Sequence, residues 1–143
     1  MSEASTTERE QTLNTYQDYE DLWNGDLSKL DVVAESITLY NPSLPEGELH
    51  GREAFEAYLR EIRSAFPDWH VVADDLIAGD GIVMKEWTIT GTHKGEYKGV
   101  PPTGREIELN GMDKILIADG NVQQARLYHN PQEVPAQLGL TEE

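Results

Sequence analysis

The sequence contains no cysteine, five lysines, two phenylalanines and no apolar run near the ~18 residues that a membrane span requires. Without cysteine there can be no disulfide framework, no thiolate metal site and no thiol nucleophile. Basic side chains are scarce: 11 stand against 27 acidic ones, for a formal net charge of −16 and a pI near 4.4. That balance lacks the positive footprint a phosphate backbone demands, so nucleic acid and anionic membrane are excluded as natural partners. No signal-peptide pattern precedes the first helical stretch, and a soluble, cytoplasmic protein is expected. Internal repeats, low-complexity tracts and linker-like composition breaks are also missing. The 143 residues fit one domain, with a small, polar, flexible N-terminus over 1–8 and a single domain over 9–143.

Acidity of this degree can mark disorder, but 38% hydrophobic residues with regular apolar periodicity argue for a folded chain. A lysine-poor, evenly acidic surface suits a high-salt cytoplasm, where counterions screen the self-repulsion. A halophilic origin is therefore expected. Terminal acidic runs such as Glu142-Glu143 read as solvated surface.

Leu13, Tyr16, Tyr19 and Trp23 recur at spacings of three and four and define one helical face, which Asn24-Gly25-Asp26 ends. Leu27, Leu30 and Val33/Ala34 predict a second short helix. Ile37–Tyr40 reads as a short strand closed by Asn41-Pro42 and a loop over Ser43–Leu49. Gly51–Phe66 is the clearest helix, with Phe55, Tyr58, Leu59, Ile62 and Phe66 in one stripe and Pro67 at its end. From Trp69 the period becomes two. Trp69–Ile77 and Ile82–Thr92 flank Gly79-Asp80-Gly81, and Arg105–Ile117 and Val122–His129 flank Asp119-Gly120, which predicts two hairpins. Asn110-Gly111 inside the third of these strands predicts a bulge in one long, bent strand rather than a turn. Pro131–Leu140 reads as a short helical turn. Helices followed by an antiparallel sheet form an α+β pattern: a strongly curved sheet wrapped around helices, a cone-shaped α+β barrel with an internal pocket at its open end.

On Arg105–Ile117, Ile107, Leu109, Asp113, Ile115 and Ile117 share a face, so Asp113 sits among apolar neighbours. It is either a pocket base or a buried structural carboxylate with a partner. His129 shares a face with Ala125 and Leu127 on the neighbouring strand, where a hydrogen bond to Asp113 and a place at the rim are both open. Tyr40 and Asn41 can donate to a substrate carbonyl or serve turn chemistry. Trp23, Trp69 and Trp87 can stack on a flat ligand or pack the core. No metal and no cofactor are expected. The histidines at 50, 70, 93 and 129 lack ligand spacing, and neither a dinucleotide fingerprint nor a Gly-x-Ser-x-Gly elbow is present.

Residues 91–104 read Gly-Thr-His-Lys-Gly-Glu-Tyr-Lys-Gly-Val-Pro-Pro-Thr-Gly. This segment resembles the signature of the SnoaL-like polyketide cyclases, which share the cone-shaped α+β fold of nuclear transport factor two and ketosteroid isomerase. Tyr40-Asn41-Pro42, Gly51-Arg52-Glu53-Ala54, Phe66-Pro67-Asp68 and Gln137-Leu138-Gly139 add to the likeness, which covers about residues 10–140. The resemblance implies a cofactor-free ester cyclase that closes a ring by intramolecular aldol condensation, with a pocket carboxylate abstracting an α-proton. It also implies a homodimer or larger homo-oligomer formed through the sheet's outer face. In such cyclases the catalytic Asp lies seven residues after the Gly of the Asp-Gly turn; here that position is Leu127, which cannot take a proton. The neighbouring family Trp is matched by Arg126 and a later acidic residue by Asn130. Asn41 keeps the family's pocket asparagine, Asp113 falls where a pocket His can occur, and His93 belongs to the signature, most simply as an orienting hydrogen-bonder.

The expected function is thus acid–base chemistry on a small apolar carbonyl, polyketide-like ester or aromatic ligand. Asp113 and His129 are the catalytic candidates; Tyr40, Asn41, Trp87, His93 and Leu127 are the binding candidates. A different cofactor-independent reaction (hydrolysis, isomerisation, hydroxylation) and a non-catalytic ligand-binding protein are the alternatives. The charge itself is testable: circular dichroism should show loss of structure as salt is lowered from molar to millimolar concentration, and equal stability in dilute buffer contradicts a halophilic origin.

Overall fold

The structure, a computed structural model, describes residues 2–140, with side chains from Glu8 onward. In chain order the elements are α1 (Ser2–Trp23), a 3-10 turn (Leu27–Val32), β1 (Val33–Tyr40), β2 (Glu48–His50), α2 (Arg52–Ala65), β3 (His70–Ala78), β4 (Ile82–Thr92), β5 (Glu106–Ala118), β6 (Asn121–Tyr128) and α3 (Glu133–Gln137). Helical backbone reaches back to Ser2, so α1 takes in most of the segment read as a flexible terminus; Met1 and Glu142-Glu143 lie outside the described residues.

All six strands form one curved sheet in the order β2-β1-β6-β5-β4-β3, with the helices on its concave side. The sheet is mixed rather than antiparallel, because β1 runs parallel to β6. Strands β3 to β6 follow one another through direct connections and must alternate in direction. Strand β1 instead enters before α2 and meets β6 across the whole length of the chain, so no hairpin dictates its sense. The second helix predicted over Leu27–Ala34 is a 3-10 turn that stops at Val32; Val33 is already extended and opens β1 four residues before Ile37. The loop predicted over 43–49 contributes the short strand β2.

Tyr16, Tyr19, Leu22 and Trp23 of α1 and Phe55, Leu59 and Ile62 of α2 are buried against the concave face. Two side chains lock this corner. The Asn24 amide pairs with both backbone groups of Val71, accepting from its N–H (2.7 Å) and donating to its carbonyl (3.1 Å), so that it stands in for a neighbouring strand. The Arg63 guanidinium donates to the carbonyls of Trp69 and Pro67 and, at 3.4 Å, to that of Trp23, joining α1, α2 and the start of β3.

Strands β4 and β5 pair without interruption from Ile82↔Leu116 to Thr92↔Glu106. The bulge predicted at Asn110-Gly111 is therefore absent. Glycine is there for another reason: a Cβ at Gly111 would lie 2.5 Å from the Trp87 ring and 2.7 Å from the Tyr128 carbonyl. Asn110 faces outward and donates to the Thr88 hydroxyl across the ladder. Irregularities fall instead at Asp74 in β3 and Gln123 in β6. At the signature segment, Lys94 and Gly95 donate their N–H groups to the Ala65 carbonyl and so cap α2. A Cβ at Gly95 would meet the Ser64 carbonyl oxygen at 2.1 Å. The segment then turns tightly at Lys98-Gly99, both with positive φ. Outside, Val72, Ile77, Met84, Met112 and Tyr128 leave an apolar strip exposed on the convex face.

Gly111→Ala should displace the Trp87 indole and lower stability by about 1–3 kcal/mol, the range for overpacking a filled core, as read from urea midpoints at unchanged slope.

Candidate active site

The alternation of β4, β5 and β6 turns Lys85, Trp87, Asp113 and Leu127 onto the concave face together. Register places them in rows. Lys85 is opposite Asp113 on one side, and Leu127 is opposite Asp113 on the other. Trp23, Trp87, Ile89 and Leu127 form a partition shared by two hollows. The outer hollow has about 620 Å3 of empty space counted to its mouth, but a water-sized sphere can move through only about 50 Å3 of it. It is a narrow slot with aromatic walls from Trp69, Phe66 and Tyr97, and Asn41, Tyr58, His129, Glu61 and Lys98 at its polar end. The inner hollow is smaller, about 260 Å3, and holds Lys85 and Asp113 against Val71 and the partition.

Asp113 is 6% exposed, and its Oδ1 has no hydrogen-bond partner among the described residues. Burial pushes its carboxyl up to about 6 from an ordinary 3.8; Lys85 opposes that rise and Glu20 adds to it. Lys85, 3% exposed, donates to the Tyr16 hydroxyl at 3.0 Å and lies 3.7 Å from the Glu20 carboxylate, which accepts a short hydrogen bond from Tyr16. Asp113 and Lys85 thus line one hollow, and Glu20 reaches Lys85 from α1. Tyr16 and Tyr19 are held above the usual phenol range, mainly by burial.

At the polar end, the Asn41 Oδ1 accepts from the Ser43 backbone N–H (3.0 Å) and lies 2.9 Å from His129 Nε2. The Asn41 Nδ2 donates to the Tyr58 hydroxyl at 2.9 Å. Burial lowers the proton affinity of His129, and its buried Nδ1 has no hydrogen-bond partner among the described residues. Over the mouth, Lys98 reaches from the signature loop to the Ser43 carbonyl at 2.9 Å.

A family model described as SnoaL-like polyketide cyclase matches residues 13–138. The chain belongs to the SnoaL-like polyketide cyclase family. Among curated relatives, the aklanonic acid methyl ester cyclase DnrD of Streptomyces peucetius is 32% identical over 116 residues, covering 78% of this chain and 80% of that protein. Among solved structures, IdmH of Streptomyces antibioticus is 26% identical with a TM-score of 0.75, covering 90% of this chain and 99% of its own. AclR of Streptomyces galilaeus superimposes with a TM-score of 0.79 at 23% identity, over 94% of this chain and 85% of that one. The curved α+β fold is shared with these SnoaL-like proteins.

Of the residues singled out from sequence, Asn41, Trp87, Leu127 and His129 meet around the outer slot, and Asp113 lies behind the Trp87–Leu127 partition. Tyr40 is elsewhere. Next to inward-facing Leu39 it must point out, and its ring lies under the Arg126 guanidinium, 3.8 Å from the centroid. His93 is fully buried outside the slot, where its Nδ1 accepts from the Thr103 N–H and its ring packs on Phe66; it ties the signature loop together. His129 pairs with Asn41 rather than with Asp113, because register puts Leu127 opposite Asp113 and carries His129 one pleat further along. Lys85, Tyr58, Tyr97 and Lys98 are site residues that the sequence reading did not single out as such. Lys85 was accessible to the period that exposed Asp113, since it alternates with Val83, Trp87 and Ile89. Tyr58 was hidden in the apolar stripe of α2. Among the described residues, no three His, Asp or Glu side chains gather as a metal site, and no helix is long and apolar enough to cross a membrane.

The raised Asp113 pKa fixes a sign. Between about pH 4 and pH 6 the folded state binds the extra proton, so stability falls as pH rises through that window. Urea denaturation should show a loss of roughly 2–3 kcal/mol from pH 4 to pH 7 in the wild type that is missing in Asp113→Asn.

Proposed function

We propose that this protein is a cofactor-free acid–base enzyme acting on a small apolar carbonyl compound or polyketide-like ester, with aldol-type ring closure as its reaction and Asp113 as its base. The observation that carries this reading is the cross-strand pairing of Asp113 with Leu127. On the reading that position 127 is where the family's last-strand base belongs, the carboxylate has moved one strand sideways on the same face of the sheet. Directly opposed residues in a ladder sit about 5 Å apart at Cα, so such a transfer keeps a base within reach of the same substrate region. Burial and the unpartnered Oδ1 both make Asp113 a stronger proton acceptor than an exposed aspartate. Lys85 offsets enough of the burial to leave it ionised at neutral pH.

In the step proposed, Asp113 takes an acidic α-proton, and the resulting enolate carbon forms a carbon–carbon bond to a second carbonyl of the same molecule. The alkoxide left on that carbonyl then takes up a proton, and the one held by Asp113 balances it, which restores the carboxylate base. The name of DnrD, a cyclase of a methyl ester, supports this reaction class. The aromatic walls suit a flat ligand, and Lys98 and Ser43, joined by a hydrogen bond, line the same slot. A second reading, ligand binding without turnover, is favoured by one observation: the Trp87–Leu127 partition stands between Asp113 and the outer slot. The same family reading extends to a homo-oligomer formed through the exposed strip of Met84, Met112 and Tyr128.

With a polyketide methyl ester panel as substrate, kcat/KM should rise with pH through about 6 as Asp113 ionises. Asp113→Asn should lower it by about 10²- to 10⁴-fold with folding intact. Saturable binding with no turnover in either protein supports the non-catalytic reading instead, and unchanged turnover in Asp113→Asn removes Asp113 as the base.

A further inference from the structure

Hydrogen-bond polarity at the slot's polar end is forced by one backbone group. A main-chain N–H can only donate, so the atom of the Asn41 side chain facing the Ser43 N–H must be its oxygen. This settles the orientation of the amide. The same oxygen then faces His129 Nε2 at 2.9 Å, which must therefore carry a proton. The opposite end of the amide, Nδ2, faces the Tyr58 hydroxyl at 2.9 Å and can only donate to it. Tyr58 thus receives a hydrogen bond on its oxygen, and its own proton has no acceptor among the described residues. The ring lies in the wall of the slot, edge-on to Trp23 with centroids 6.2 Å apart.

We propose that Tyr58 is the donor that holds the oxyanion of an enolate or phenolate ligand, oriented by Asn41 and His129 as positioning residues. The chain of donors runs in one direction, His129 Nε2–H to Asn41 Oδ1 and Asn41 Nδ2–H to Tyr58 Oη, leaving the Tyr58 O–H aimed at whatever the slot admits. The chain also discriminates between ligands. A hydroxyl already accepting from Asn41 and carrying a proton favours an acceptor, so the slot prefers a carbonyl, enolate or phenolate oxygen over a second donor such as an amine. Burial holds the Tyr58 phenol above its ordinary range, which keeps the proton in place for donation. The catalytic consequence rests on the acid–base reading given above: an enolate formed by a base elsewhere in the cavity develops its charge on an oxygen, which is where a fixed donor acts. The binding consequence does not depend on that base.

The test is titration of 2-naphthols of graded acidity, followed by quenching of the tryptophans that wall the slot, in wild type, Tyr58→Phe, Asn41→Asp and Asp113→Asn. Wild type should bind, with affinity rising as the naphthol becomes more acidic. Tyr58→Phe should bind about tenfold more weakly or worse, the value of a charge-assisted hydrogen bond, and lose the dependence on acidity. Asn41→Asp keeps Tyr58 but gives its proton an acceptor inside the protein, so the same loss is expected and a folding defect in one variant leaves the other informative. Nitrogen-15 shifts of His129 should show Nε2 protonated and Nδ1 bare. Absence of wild-type binding, wild-type affinity in Tyr58→Phe, or protonation of His129 at Nδ1 alone would overturn the proposal. Asp113→Asn separates it from the functional reading. Retained naphthol binding with lost turnover supports both. Full turnover in Asp113→Asn beside weakened binding in Tyr58→Phe removes the base and leaves the oxyanion donor standing.

Discussion

Everything in the cavity depends on the unbroken antiparallel ladder between β4 and β5. Side chains in a strand alternate with period two, so a shift of one residue in this pairing would turn one strand over against the other, sending either Lys85 and Trp87 or Asp113 to the convex face. The register is held where the two strands make their tightest contact. Gly111 has no side chain because the Trp87 indole already fills that space, and Trp87 in turn stands between the two hollows. One close packing contact therefore sets strand register, pocket shape and the seclusion of Asp113 together.

Seclusion changes what the charges do. The protein carries a large acidic excess, yet Asp113 faces a buried lysine, whose ammonium also meets the Glu20 carboxylate and the Tyr16 hydroxyl. Removing a carboxylate from water raises its proton affinity, and a nearby ammonium lowers it again. The balance at Asp113 settles near pH 6, a range in which a group is ionised at neutral pH but still takes a proton readily. Surface carboxylates stay in water and answer to salt, so the net charge and the inner hollow obey different rules.

The polar end of the slot is built on a different economy, in which one side chain serves two structural purposes. Asn41 ends β1 and starts the turn to β2, as Asn-Pro commonly does, by accepting from the Ser43 N–H. That turn bond orients the amide whose other end meets Tyr58. Turn formation and donor alignment are the same event, and the Lys98 contact to the Ser43 carbonyl fastens the signature loop to that turn. The glycines of the signature have an architectural role, letting the chain pass against Phe66 and the last turn of α2 before it reaches the mouth.

Periodicity in the sequence was enough to place α2 and the four strands β3–β6 within a residue or two, because each has one clear apolar face and strong turn residues between them. The same period put Asp113 indoors, and the fourteen-residue signature carried the family. Three features needed the tertiary structure. The parallel pairing of β1 with β6 joins segments nearly ninety residues apart, and no local pattern encodes that contact. The seat of Tyr40 under Arg126 depends on the same β1–β6 pairing, since alternation along Ile37–Tyr40 turns the ring away from Leu39 but does not say what it meets. The role of Tyr58 is invisible in a helical stripe, because an apolar period cannot tell a core ring from one whose hydroxyl meets an amide on another element. Sequence by itself determined which faces are buried, since burial follows from local spacing and transfer out of water. Which buried groups meet was decided only by the fold, since hydrogen bonds and charge pairs depend on distances between segments far apart in the chain.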